Sequence, residues 1–260
     1  EKLMNGAIKT NALLTGPRFY WDDSKSFKLP PALGYSWGIQ IALHIANISA
    51  ADAKLLSFQW TLRHQRFWVE TQAFYEPFLS GACILVRFDP SFFINGKIFD
   101  ERFFLYYEDT DLCYQALLKN EKVFVVPDAE VVHYWNQSPS NQKHRWMAES
   151  EEKFMKKYYG VTSNLKASKA IAIDSDIKEE DLGEINLSTK FELKDSRKNE
   201  SYFFDLGLNQ HFIPFAQTSI KGPHYIIPKT ILDKLSPGYY YSRVRNNFFQ
   251  TLKIWKWKKS

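Results

Sequence analysis

Glu108, Asp109 and Asp111 crowd three carboxylates into one short stretch at the mouth of an expected helix over residues 110–119. That helix is read from the pairs Leu112–Ala116 and Cys113–Leu117, which share a face at i, i+4 spacing. The first turn of a helix leaves backbone N–H groups without intrahelical partners and carries the positive end of the helix dipole, so nearby carboxylates stay ionised. An ionised carboxylate in a cleft can accept a proton from an attacking hydroxyl. Asp just before a helix also does a plainer job, capping its first free N–H groups. Position alone leaves both uses of Asp109 open.

The elements that must position these carboxylates are short. Residues 78–88 form an apolar run bounded by Pro77 and Asp89-Pro90, expected as a buried strand carrying Ser80 and Gly81. Val123-Phe124-Val125-Val126 marks a strand over 122–127, with a further short strand over 129–134. A charged helix over 148–159 stops at Gly160, a natural C-cap. Upstream, 39–62 is apolar with Ala-rich spacing and reads as helical, after a loop marked by Pro30-Pro31, Gly34 and Gly38. The first 75 residues otherwise give mixed signals. No apolar strand is expected to lead into Asp22-Asp23, which reads as a loop.

Hydrophobic residues at 45% and charged residues at 24% of 260 are the balance of a soluble globular chain. Aromatics reach 17%; such rings fill cores, and they also offer flat faces to the C–H faces of sugars. The net charge of +5 suits anionic lipids or nucleoside diphosphates but is too mild to argue for nucleic acid. Cys83 and Cys113 have neither metal-ligand spacing nor the count of a disulfide framework, so both read as reduced core residues of a cytoplasmic protein. No stretch approaches the roughly 18 apolar residues of a membrane span. The start, Glu1-Lys2-Leu3-Met4-Asn5, lacks a secretory pattern and an initiator Met, so the chain is expected to begin partway through a longer protein.

Composition changes after Gly160. Residues 161–184 are polar and acidic and read as a linker. Residues 185–260 carry six short, aromatic-rich strand patterns separated by turn residues, as in a small β-rich sandwich domain. The run Leu235-Ser236-Pro237-Gly238 with the tyrosines after it weakly resembles a late strand of a fibronectin type III module. Trp255 and Trp257 among Lys253, Lys256, Lys258 and Lys259 read either as an interfacial membrane anchor or as an edge strand guarded by lysines.

Ser80-Gly81-Ala82, Arg87, Phe99-Asp100-Glu101, Phe103-Phe104, Tyr106, Glu108-Asp109, Asp111-Leu112-Cys113, Pro127 and His133 together resemble the second half of the family-2 glycosyltransferase domain, especially its rhamnosyltransferase-like members. The resemblance covers residues 16–160. It implies an α/β, GT-A-type domain over 1–160, represented by its acceptor-side half. It implies an inverting sugar transfer from a nucleotide-sugar donor to a polysaccharide or lipid-linked glycan, with Asp109 as general base. Glu108 would orient the acceptor or support Asp109, and His133 would help hold a divalent metal, Mn²⁺ or Mg²⁺, at the departing diphosphate. Ser80 and Gly81 either lie where a sugar approaches or pack a strand against a helix. Trp135 and Tyr134 either stack on a sugar or fill the core. The basic run Lys143-His144-Arg145 either touches diphosphate or starts a solvated helix. The location implied is cytoplasmic, at the inner face of the membrane.

The family's donor-side strand with its Asp-x-Asp motif has no counterpart here. The chain alone is therefore expected to be inactive and its parent protein to be the enzyme. Two other readings stay open: a carbohydrate-binding protein that lacks the donor half, and an interaction module in residues 185–260.

Overall fold

The computed structural model describes residues 1–90, 92–93, 96–134, 142–160, 177–193 and 199–260. The chain opens with a helix, α1 (Lys2–Thr10), followed by β1 (Leu14–Tyr20). The expected helix over 39–62 appears as two, α2 (Trp37–Ala46) and α3 (Ala50–Val69). They are split at Asn47–Ser49, where the Ser49 side chain caps α3 by accepting from the Asp52 N–H. Two short strands follow, β2 (Phe74–Tyr75) and β3 (Leu85–Val86), then α4 (Glu108–Leu118), β4 (Val123–Val132) and α5 (Lys143–Tyr159). Gly160 closes α5 in the left-handed conformation at φ 66°, as its position implied.

Four strands form a mixed sheet in the order β2-β4-β1-β3, with β1 and β4 parallel at its centre. The strands expected over 122–127 and 129–134 are one element. β4 runs through Pro127 by bulging: Gly16 pairs with Val125, but Arg18 pairs with Glu130. Proline has no N–H for the ladder, so the extra residues fall where it stands.

Strand β1 corrects the expectation that no apolar strand leads into Asp22-Asp23. It is almost wholly buried and runs into that turn through Trp21. Its pattern is masked by Thr15, Gly16, Pro17 and Arg18, all of which the central strand buries. The Arg18 guanidinium donates to the carbonyls of Phe67 and Glu70 at the end of α3 and lies 5.4 Å from the Trp68 ring. The turn reading of Asp22 itself fits: its carboxylate accepts from the Ser26 and Phe27 N–H groups within the same loop.

The later chain builds a five-stranded sheet and a two-stranded ribbon. Its elements are β5 (Glu180–Glu184), β6 (Phe191–Glu192), β7 (Ser201–Gly207), β8 (Phe215–Lys221), β9 (His224–Tyr225), a short helix α6 (Lys229–Leu232), β10 (Gly238–Arg245) and β11 (Thr251–Lys259). The larger sheet has the order β5-β11-β10-β7-β8, and β6 pairs with β9. Residues 161–176 of the expected linker lie outside the described residues. Its end, 180–184, is the edge strand β5, whose acidic sequence hid it; Lys253 pairs with Glu180 at 2.6 Å across the edge. β11 is thus an inner strand. Trp255 and Trp257 are 1% and 0% exposed in the core, so they cannot serve as membrane anchors. Among the described residues no helix is long and apolar enough to cross a membrane.

The two sheets share a core. Phe19, Trp21, Phe27 and Leu29 pack in one cluster with Phe204, Tyr240, Trp255 and Trp257. Leu33 and Trp60 of the first half pack with Phe212, Phe215 and Ile254 of the second. Backbone joins them too: Lys28 and Gln217 exchange N–H···O bonds of 2.8 and 2.9 Å.

Candidate active site

Asp109 lies in the first turn of α4, behind two consecutive non-glycine residues in left-handed conformation, Tyr106 (φ 66°) and Tyr107 (φ 69°). Each such residue costs on the order of 1–2 kcal/mol, so the entry to α4 is held under strain by its surroundings. Tyr107 provides that hold: it is buried, its ring lies 5.5 Å from Tyr35 and 5.4 Å from Phe154, and its hydroxyl accepts from Gln40 at 3.2 Å. The helix N-cap position is Tyr107, while Asp109 in the first turn still takes one of the helix's free N–H groups, that of Thr110.

The carboxylate is fixed from two sides. Oδ2 accepts from the Gly81 N–H at 2.9 Å and Oδ1 from the Thr110 N–H at 2.7 Å. One turn on, the Cys113 Sγ accepts from the Leu79 N–H at 3.3 Å. Residues 79–81 are therefore fastened along α4 by two side chains at i, i+4 spacing. This irregular fastening is why the strand expected over 78–88 is ordered as β-structure only at Leu85–Val86. A Cβ on Gly81 would stand 3.1 Å from Asp109 Cβ and 3.3 Å from Oδ2, so a side chain there would make Asp109 shift by a few tenths of an ångström. Burial raises the Asp109 pKa above the usual carboxylate range, against the pull of those N–H donors. That reverses the expectation of a carboxylate held more strongly ionised by its helix terminus. Desolvation wins, and the result is a stronger base.

A cleft of about 1260 Å³ opens over Asp109. That exceeds the roughly 300–1,000 Å³ of a typical small-ligand pocket. Ser80, Asp109, Thr110, His133, Tyr134 and Lys143 all line it. The loop at Pro30–Tyr35 forms one side. Gly34 turns that loop at φ +63°, and a Cβ there would fall inside the Phe78 ring. Leu208, Pro214 and residues 236–240 line the cleft from the second sheet. His133 follows β4; its N–H donates to the Tyr20 carbonyl at 2.8 Å, and its ring meets Phe19 edge-on at 5.7 Å. Burial lowers its pKa, leaving a neutral imidazole at neutral pH.

The site thus gathers Asp109, Ser80, His133 and Tyr134, but not every expected residue. Gly81 donates to Asp109 and does not line the cleft. Glu108 is absent from the lining; its Oε2 is buried without a hydrogen-bond partner, and burial raises its pKa. Trp135 lies outside the described residues. Asp111, third of the clustered carboxylates, turns away from the cleft into a clamp, accepting from Lys157 Nζ, Tyr158 Oη and Gln115 Nε2 at 2.6 Å each. Lys157 also bonds Asp100 at 2.9 Å. Among the described residues no group of three His, Cys, Asp or Glu side chains is placed to hold a metal ion. His133 alone does not make a coordination sphere. Sequence reasoning missed the cleft wall at residues 236–240, and its only signal was the tyrosine run after Gly238.

Over 79 residues, 29% of its length, the chain is 33% identical to the rhamnosyltransferase WbbL of Escherichia coli (strain K12), and the match spans 29% of that protein. No protein-family model matches the chain, and no solved structure matches it. The likeness points to glycosyltransferases at that coarse level, and the mixed α/β architecture is compatible with it.

Proposed function

We propose that the protein carrying this chain transfers a sugar from a nucleotide-sugar donor to a polysaccharide or lipid-linked glycan, with inversion, and that Asp109 is its general base. The observation that carries this reading is a cleft-lining carboxylate held by the Gly81 and Thr110 N–H groups with its pKa raised by burial. The acceptor hydroxyl gives its proton to the Asp109 carboxylate as its oxygen attacks the anomeric carbon. The anomeric C–O bond to the nucleoside diphosphate breaks, and the diphosphate leaves with the bonding pair. One displacement from the opposite face inverts the centre. Ser80 and Tyr134, on the cleft surface, would contact the sugars.

The similarity to a rhamnosyltransferase supports glycosyl transfer, and a deoxyhexose is one sugar to include among donors tested. His133 is neutral and would offer one ligand to Mn²⁺ or Mg²⁺, a proposal that needs further ligands from outside the described residues; no step above passes through a metal. A cytoplasmic site of action belongs to the same proposal.

The test compares this chain, a version extended to the full gene, and Asp109→Asn in the extended version, on a panel of nucleotide sugars with Mn²⁺. Asp109→Asn is expected to lower turnover about 10²- to 10⁴-fold, the usual share of a general base, with nucleotide binding unchanged. An extended protein that binds and consumes no nucleotide sugar would sink the reading and leave a carbohydrate-binding protein in its place.

A further inference from the structure

The cleft over Asp109 has a wall that the first 160 residues do not make. Leu208, Pro214 and residues 236–240 come from the five-stranded sheet and its loops. That wall is braced from behind. Tyr240 turns into the core, stacks on Trp257 at 4.9 Å and 23°, and donates its hydroxyl to the Ser236 carbonyl at 2.7 Å. Pro237 adds a fixed φ. At the adjoining rim, Tyr134 Oη donates to Asp23 at 3.0 Å while the Lys234 ammonium stands over the Tyr134 ring.

Successive strand residues point to opposite faces. With Tyr240 inward, Tyr239 is thrown outward: it lines the cleft and is 59% exposed. Lys256 Nζ lies 5.0 Å from its ring centroid. Gly238, beside it, has open space where a side chain would stand. A large exposed phenol ring on a braced wall, with bare backbone beside it and the Asp181-paired Lys256 ammonium over one face, offers its other face to a pyranose. The sugar's C–H face would lie on the ring face that Lys256 does not cover.

We propose that Tyr239, with the turn at residues 236–238, is a subsite that stacks a pyranose ring, an inference that rests on the sugar-transfer reading for the ring's role. The ring belongs either to the acceptor glycan or to the donor sugar, and the contact chemistry is the same for both.

Saturation-transfer NMR on the full chain separates these sources. One arm uses methyl pyranosides of the gluco, galacto, manno and N-acetylgluco series; the other uses UDP-glucose and dTDP-glucose. At least one probe is expected to receive saturation at its ring protons, with equal affinity for wild type, Tyr239→Phe and Tyr239→Trp. Tyr239→Ala is expected to bind it about five- to tenfold more weakly, the size of one aromatic contact. Transfer to a methyl pyranoside assigns the subsite to the acceptor, and transfer to nucleotide sugars alone assigns it to the donor. Binding by no probe, or equal binding by wild type and Tyr239→Ala, overturns the subsite. Turnover by the extended protein that needs Asp109, with binding indifferent to Tyr239, overturns the subsite alone. Binding that needs Tyr239, with no turnover of any nucleotide sugar, keeps the subsite and removes the transferase reading.

Discussion

Asp109 spends an acceptor site on each oxygen to stay in place, and burial then makes the anchored carboxylate a stronger base than a surface one. Because its folded pKa is raised, the proton stays on to a higher pH than on an ordinary carboxylate. On the proposed reading, activity of the extended protein is therefore expected to fall as pH drops through that raised value. The acid limb of kcat/KM against pH should lie above the ordinary range near 4; a limb at or below it would argue against Asp109 as the base. Gly81→Ala tests the anchor. The new methyl must push Asp109 by a few tenths of an ångström, so kcat is expected to fall about tenfold while thermal stability changes little. His64 shows the opposite electrostatic case. It is fully buried, stacks on Phe215 at 4.6 Å, and neither ring nitrogen makes a well-formed hydrogen bond. Burial pushes its pKa down to about 3. Its folded pKa lies below the unfolded value, so only the unfolded chain takes up the proton as pH falls from about 6.5 towards 3. Relative to His64→Phe, wild type is expected to lose about 1.4 kcal/mol per pH unit between roughly pH 6 and 4. Urea melts of both proteins across that range measure it, and parallel pH profiles would refute the neutral buried histidine.

α4 serves two masters, since Asp109 faces the cleft while Asp111, two residues on, clamps α5 through Lys157 and Tyr158. Asp111→Asn removes the charge that faces a nearly buried ammonium. It is expected to cost about 3 kcal/mol in denaturant melts and to expose α5 to proteolysis first, with Asp109 still in place. A loss of activity without loss of stability would instead place Asp111 in the chemistry. The elements that apolar spacing marks were legible: α4, α5 with its glycine stop, β4 and most of the later strands follow their patterns. Those that tertiary partners create were not. β1 hides behind Thr15, Gly16, Pro17 and Arg18, and is a strand because β4 and β3 pair with it and α3's last carbonyls receive the arginine. β5 hides behind acidic residues that lysines of β11 neutralise. Residues 79–81 are apolar enough for a strand, yet Cys113 and Asp109 claim their N–H groups. The carboxylate cluster marked the candidate site, but its division between cleft and clamp depends on which side of α4 the helix α5 packs, and no local pattern states that.

At the scale of the whole chain the deciding feature is the seam between the two sheets. Asp205 on β7 is 0% exposed and takes Arg243 at 2.7 Å and Arg245 at 2.6 Å, both from β10. One carboxylate against two guanidiniums leaves an excess positive charge inside. Arg243 meets it by reaching back to α3, donating to Ser57 Oγ at 3.1 Å and Thr61 Oγ1 at 3.0 Å. Its guanidinium also lies 4.4 Å from the Phe212 ring centroid. Arg243 of this ionic knot thus finds its remaining partners only with α3 of the first half present, although Arg245 Nη1 stays without one, and the apolar clusters are likewise shared. Two independently folding units would leave Trp21, Phe27 and Trp60 on one side and Trp255 and Phe215 on the other facing water. The chain is therefore expected to unfold in one cooperative transition. Tryptophan fluorescence, which reports the shared core, should coincide with far-UV circular dichroism, which the helices of the first half dominate. Asp205→Asn strands two buried cations and should cost about 3–5 kcal/mol. If the seam is structural, both probes move together by that amount. If only the fluorescence transition shifts while the helical signal melts where it did, the halves are separate domains. In that case the wall carrying Tyr239 is an appendage that can leave the cleft rather than a fixed part of it.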